Sequence, residues 1–355
     1  MGDVSTICKK PANRTLTFIT TNECGAYCAH CLMMSGPERH EKLTFQQMRE
    51  SIDQYFPSGE DGVVVFTGGE CTRLGPALLD SIAYANVRGL FTRIVSNGEW
   101  AVNSASTELM VSQLRESGLN EINISTDDYH AKWIPFENIK RIWFASKHRG
   151  FTTVLLVIGR GPNSDLTPRI AMNRLGERIS LINSSNGIAQ KLPEPAEDGT
   201  IYAISENRFY RLGRGRHIKE SEYFFPDQRG VLSCVCPERN LQAVITPKGH
   251  VGACCGINPE GNKLLDFGPL KSDLKLSELQ LTFLDAVAVL GPGYLENLIR
   301  NKSRGAALQR NQYTSICEIC EDISCSQEAL SILEESLGII KKDVASGRII
   351  NSFLE

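Results

Sequence analysis

The sequence predicts an α/β fold built on a parallel sheet. Three observations carry that reading. A strand–helix rhythm repeats at least five times between residues 14 and 158. Several of its strands are short apolar runs, such as GVVVF at 62–66 and TTVLLVI at 152–158, the pattern of strands covered on both faces. Polar or glycine-containing motifs follow the strands, so polar groups collect at the carboxyl end of the sheet.

Residues 14–20 (RTLTFIT) form the first strand and run straight into a cysteine-rich loop. Thr44 caps a helix to about Phe56, with Phe45, Met48, Ile52 and Tyr55 on one face and Pro57-Ser58-Gly59 as its stop. The second strand ends in Thr67-Gly68-Gly69-Glu70. A helix over 75–88 stops at Gly89, and strand 91–95 ends at Ser96-Asn97-Gly98. A helix over 105–117 stops at Gly118, and strand 121–125 opens into Thr126-Asp127-Asp128-Tyr129-His130. A helix over 135–148 and strand 152–158 follow, then a helix near 165–177 and a last strand near 199–205. Right-handed crossovers link such units into a full or partial barrel or an open doubly wound sheet. After about residue 230 the rhythm stops. Cys234–Cys255 reads as a hairpin turning at Pro247-Lys248-Gly249, and 327–346 as a helix with Leu330, Leu333, Leu337, Ile340 and Val344 on one face.

Composition is that of a soluble globular protein, with 41% hydrophobic and 22% charged residues in 355. A net charge of −3 leaves no general attraction to nucleic acid or to an anionic membrane. No run of about 18 apolar residues marks a membrane span, and the amino terminus lacks the apolar core of a secretory signal. Met1-Gly2 with Thr6 approaches a myristoylation motif, but Asp3 argues against it. The expected location is the cytoplasm. Residues 208–219 (RFYRLGRGRHIK) are basic, and read either as an anion site for a carboxylate or acidic peptide or as a solvated loop.

Twelve cysteines in a chain without a signal point to metal ligation over disulfides. Cys24-x3-Cys28-x2-Cys31 sits on the first loop; Cys234, Cys236, Cys254 and Cys255 form a second group and Cys317, Cys320 and Cys325 a third, while Cys8 and Cys71 stand alone. Thiolates select zinc, copper(I) or iron–sulfur clusters. Three on one tight loop suit three corners of a [4Fe–4S] cube and leave the fourth iron open to a small molecule. A zinc site completed by His30 or His40 is the other reading.

Cys24-x3-Cys28-x2-Cys31, Gly68-Gly69-Glu70 and Ser96-Asn97-Gly98, in this order and each after a strand, resemble the radical S-adenosylmethionine (radical SAM) superfamily over roughly residues 14–220. The resemblance implies a partial (β/α)6 TIM-type barrel. It implies a cluster on Cys24, Cys28 and Cys31 whose open iron chelates SAM, and reductive cleavage to a 5′-deoxyadenosyl radical that abstracts a hydrogen atom. By resemblance, Gly68, Gly69 and Glu70 hold the methionine amino group. Ser96, Asn97, Ser125 and Asp127 meet the ribose and methionine carboxylate, though Ser125 and Asp127 also suit a strand-end cap. His30 replaces the usual aromatic residue beside adenine, and Gly159 faces adenine more weakly. Asp128 and His130 read as substrate-pocket residues or a capped turn. An electron donor such as a flavodoxin or ferredoxin is implied.

Cys236-x12-Gly249-x4-Cys254 with Cys317-x2-Cys320-x4-Cys325 resembles the SPASM/twitch extensions of the same superfamily. That implies a small Cys-rich β-hairpin/α extension over 230–326, followed by a helix and tail over 327–355. One auxiliary [4Fe–4S] cluster is expected on Cys236, Cys254, Cys317 and Cys320, with Cys325, Cys234 or Cys255 as alternate ligands; a structural zinc is the other reading. The substrate expected first is a ribosomally made peptide, to be crosslinked, epimerised or oxidised. A small molecule such as a sugar or aminoglycoside is the alternative within the superfamily, and a non-catalytic zinc or iron–sulfur module the alternative outside it. Cys71 is a candidate hydrogen-atom donor for epimerisation, against the reading of a buried apolar thiol.

Overall fold

The computed structural model describes residues 14–57, 61–183, 193–236, 242–270 and 274–352. The lipidation reading at Thr6, Cys8 and the Ser58-Gly59 helix stop lie outside the described residues. In chain order the first part is β1 (Arg14–Ile19), α1 (Phe45–Tyr55), β2 (Gly62–Thr67), α2 (Pro76–Val87), β3 (Phe91–Ser96) and α3 (Ser104–Glu116), then β4 (Glu121–Thr126), α4 (Phe136–Ala145), β5 (Thr153–Arg160), α5 (Pro168–Leu175), β6 (Ser180–Asn183) and β7 (Ile201–Arg208). The local reasons are those the residues announce. Thr44 and Gln47 make a reciprocal capping box at α1, and proline opens α2 and α5.

Strands β1 to β5 lie in parallel in sequence order and β7 follows β5. Six adjacent parallel strands match the expected partial barrel, and the sheet does not close. The outward positions, including Leu16, Phe18, Val64, Phe66, Ile94, Ile122, Ile124 and Leu156, are buried with Met48, Ile52, Ile82, Val111, Ile142 and Trp143 from the helices. Phe18 and Phe66 stack at 5.6 Å.

Three expectations need correction. β6 was not read from the sequence; its four residues pair with β7 and form the far edge. The hairpin β8 (Gln242–Ile245) and β9 (His250–Gly252) does not stand apart. β8 pairs in parallel with β1, Thr15 opposite Gln242 through Phe18 opposite Ile245, and so covers the edge β1 would otherwise expose. β10 (Asp266–Pro269) completes that side. The carboxyl-terminal helix is two helices, α10 (Gln327–Glu335) and α11 (Leu337–Ser352), broken at buried Ser336, whose hydroxyl accepts from Lys302 at 2.8 Å.

Helices α6 (Gln228–Ser233), α7 (Glu278–Val289), α8 (Pro292–Ser303) and α9 (Ile316–Cys325) build a second core with α10 and α11. It includes Phe283, Leu295, Ile299, Tyr313, Ile323, Leu330 and Ile340. Leu212 also packs there, although it lies in the stretch read with the barrel. Among the described residues no helix is long and apolar enough to cross a membrane.

Candidate active site

The loop after β1 is laid across the end of β2 by its backbone. Gly69 N–H donates to Thr21 O at 2.6 Å and Glu70 N–H to Glu23 O at 2.9 Å; Gly36 N–H donates to Asn22 O and Cys24 N–H to Gly36 O. The glycines are required by this contact. A Cβ on Gly69 would stand 2.1 Å from Glu23 O, and one on Gly68, whose φ is +136°, 2.5 Å from Thr21 O.

Glu70 is fully buried, and its carboxylate ties the ends of β2 and β3 together. It accepts from Thr72 N–H and hydroxyl, from Ser96 hydroxyl at 3.0 Å and from Asn97 N–H at 2.8 Å. Burial raises its pKa against these bonds. The Asn97 amide donates to Cys24 Sγ at 3.1 Å.

A cavity of about 820 Å³ opens beneath this loop. Cys24, Cys28 and Cys31 line it with Gly68 and Gly69, and so do His30, Ser96, Asn97, Ser125 and Asp127. Gly159 and His130 reach the same wall. Two expected residues do not. Glu70 is spent on the strand ends. Cys71 is wholly buried, with its thiol towards Glu70 and Val95 O, because the short helical turn after Glu70 carries it away from the cavity. Among the described residues, the thiol that lines the wall outside the first loop is Cys255. Sequence spacing had offered it only as an alternate ligand.

Asp127 sits between two imidazoles. His130 Nδ1 is 2.7 Å and His30 Nε2 3.0 Å from its Oδ2, and Tyr129 and His130 N–H groups donate to Oδ1. Burial would push the Asp127 carboxyl up, but His130 and His30 together hold it well below the usual range. Burial would lower His130, and the Asp127 carboxylate raises it instead. His30 does not present a free ring: it stacks on Tyr129 at 5.1 Å and meets Phe209 edge-on. Asp128 caps the turn before α5, accepting from Asp165 and Leu166 N–H.

The basic stretch after β7 divides its charges between the cysteine loop, α9, the cavity and the surface. Arg214 N–H donates to Cys31 O at 3.1 Å and its Nε to Cys28 O at 2.9 Å, while its guanidinium lies 3.9 Å from the Tyr27 ring centroid. Arg211 pairs with Glu318 at 2.6 Å and Arg216 with Glu321 at 2.8 Å, both acids on α9. Arg208 and Arg214 line the cavity, while Lys219 is exposed.

Cys317 and Cys320 share α9 and come together with Cys236 and Cys254. Burial raises Cys254 to about 12, with further contributions from Cys255 and Cys236. Burial also pushes Cys317 and Cys320 up, and each feels Cys236 and Cys254. Cys234 instead donates to Gly230 O at 3.2 Å, and Cys325 is exposed at the end of α9. Neither stands with the four.

On the loop, burial raises Cys24 to about 12 and pushes Cys28 up as well, so thiolates at these two positions call for a cationic ligand. A tetrahedral zinc with 2.3 Å bonds draws its sulfurs to about 3.8 Å from one another. Among the described residues, the one group of three ligand atoms within 4.8 Å is His30, Asp127 and His130. No three cysteines stand that close among the described residues. The short Asp127 contacts are N–H···O hydrogen bonds.

Residues 18–167 match the model of the radical SAM superfamily. The cysteine loop and the strand ends it meets all lie within that match. It is 22% identical over 167 residues to YydG of Bacillus subtilis (strain 168), a protein named for peptide biosynthesis. That match covers 47% of this chain and 52% of YydG, so the chain spans about half the length of the curated relative it matches. Similar solved structures include BtrN in complex with AdoMet and 2-DOIA, at 13% identity and TM-score 0.46 over 81% of this chain and 91% of that one. Native anSMEcpe with bound AdoMet and Cp18Cys peptide is similar at 10% identity and TM-score 0.47, over 94% and 99%.

Proposed function

We propose that the chain is a radical SAM enzyme and that it modifies a peptide. The carrying observation is one cavity wall that unites Cys24, Cys28 and Cys31 with the backbone of Gly68-Gly69 and with Ser125 and Asp127 at the next strand ends. Cys24, Cys28 and Cys31 would hold three irons of a [4Fe–4S] cluster, and Gly68-Gly69 and Ser125 offer polar contacts to SAM. When bound, the two supply a radical able to take hydrogen from an unactivated C–H, with an electron from a small carrier such as a flavodoxin or ferredoxin. The chain's own part is positional. Glu70 locks the strand ends, Asn97 holds Cys24, Arg214 fixes the carbonyls of Cys28 and Cys31, and the His30–Asp127–His130 group ties the loop to the end of β4. Cys236, Cys254, Cys317 and Cys320 would hold an auxiliary cluster. Similarity to YydG supports a peptide as substrate.

The test is anaerobic reconstitution with iron and sulfide. Two loaded sites give about eight irons per chain, and dithionite with SAM yields 5′-deoxyadenosine. Incubation with short peptides encoded beside the gene produces a mass change in one of them. Stoichiometric zinc without iron overturns the reading; SAM cleavage with a change only in a sugar or aminoglycoside overturns the peptide.

A further inference from the structure

The cavity does not stop at the cysteine loop. It runs down the inner face of the sheet to the amino ends of β1 and β8, and there its wall turns polar. Several inward positions are the valines that usually fill such a face: Val63, Val65, Val95 and Val157. Among them stand Arg93, Asn123 and Gln242. Arg93 is occupied, since Glu121 binds it at 2.7 and 3.0 Å and cancels its charge. Asn123 Oδ1 and Gln242 Oε1 are buried without a hydrogen-bond partner, and Asn123 is only 8% exposed. Two unpaired amides on the wall of one cavity call for an explanation, because an acceptor removed from water without a partner is destabilising.

We propose that Asn123 and Gln242 form an amide-reading subsite that binds the main chain of an extended peptide below the SAM position. This rests on the peptide reading above and adds the residues that select it. Each carboxamide offers a donor and an acceptor, the complement of a peptide unit, and its terminal torsion is free enough to turn either end inward. The Arg93–Glu121 pair leaves the floor without net charge, which disfavours a carboxylate or phosphate in favour of a neutral ligand. Spacing favours a chain over a single ring. Gln242 pairs with Thr15, which faces Val63, which faces Phe91; Asn123 faces Val95, four residues further along the same strand. Four residues are about 13 Å along the strand direction alone, and four strand spacings of about 4.8 Å also separate β8 from β4 around the sheet, so only an extended chain of at least about four residues meets both amides. The valines between them would receive apolar side chains.

The probe is tetraglycine capped as acetyl and N-methylamide, which carries main-chain amides and nothing else. It is titrated anaerobically into the iron-loaded enzyme with SAM, with saturation-transfer NMR as the readout and myo-inositol and acetate as controls. Tetraglycine is expected to bind and both controls to fail. Asn123→Leu and Gln242→Met, read separately, should each weaken tetraglycine at least ten-fold, with iron content and melting temperature reporting the fold. If one variant loses its iron, the other still decides. Tetraglycine binding unchanged in both variants overturns the subsite, as does wild-type binding of inositol but not tetraglycine. Failure of the broader reading looks different: zinc in place of iron, or no 5′-deoxyadenosine from wild type.

Discussion

The two cysteine sites are built in opposite ways. Cys24, Cys28 and Cys31 come from one eight-residue stretch whose shape is set by hydrogen bonds to the next strand end, and they open onto a large cavity. Cys236, Cys254, Cys317 and Cys320 come from three distant segments and pack against the second core. The first is a local site that leaves a face open, the second a site assembled by the fold. Residues 211–216 tie them: Arg214 holds the carbonyls of Cys28 and Cys31, while Arg211 and Arg216 grip the acids of α9 beside Cys317 and Cys320.

The largest break in that comparison comes from the thiols. Cys28→Ala should abolish 5′-deoxyadenosine formation and remove about four irons. Cys317→Ala should remove the other four and leave SAM cleavage measurable. Equal loss in both variants would mean that the sites load as one. Next is Gly69→Ala, whose methyl would overlap Glu23 O. We expect a cost of about 3 kcal/mol, read as a lower melting temperature with iron lost first from the loop.

The tie itself is graded. Arg211→Ala takes a partner from the fully buried Glu318, but Arg310 stays 3.3 Å from that acid, so a loss of about 2 kcal/mol in urea unfolding is expected. Arg216 is 38% exposed on its side chain, and its alanine variant should cost below about 1 kcal/mol. The smallest effect is one of pH. His130 has a folded pKa raised by Asp127, so its contribution is full below its unfolded value near 6.5 and is lost as pH climbs through the raised value. The stability gap between wild type and His130→Ala should therefore narrow from pH 6 to pH 9. A gap that widens would mean that burial outweighs Asp127 and holds the imidazole below its unfolded value.

Much of the barrel was legible because its signals are local. Alternating burial, the capping residues at Thr44 and glycines past α2 and α3 depend on a few neighbours in sequence, and the strands fall within a few residues of their expected positions. The loop cysteines were legible for the same reason. What escaped depends on partners far along the chain. Glu70 reads as a ligand-facing acid until Ser96 and Asn97 are seen to consume it. β6 is four residues with no periodic signal, and β8 joins the sheet only because β1 has an edge to cover.

From its order of residues alone this chain determined a parallel α/β sheet and a three-thiolate loop at its carboxyl end, since strand alternation and C-x3-C-x2-C spacing act over a few residues. Tertiary structure decided which thiols share the second site, that Cys255 and not Cys71 lines the cavity, and that the basic stretch is a brace. Each of those is a pairing between residues far apart in the chain, or a direction taken by one turn, and neither is written in local sequence.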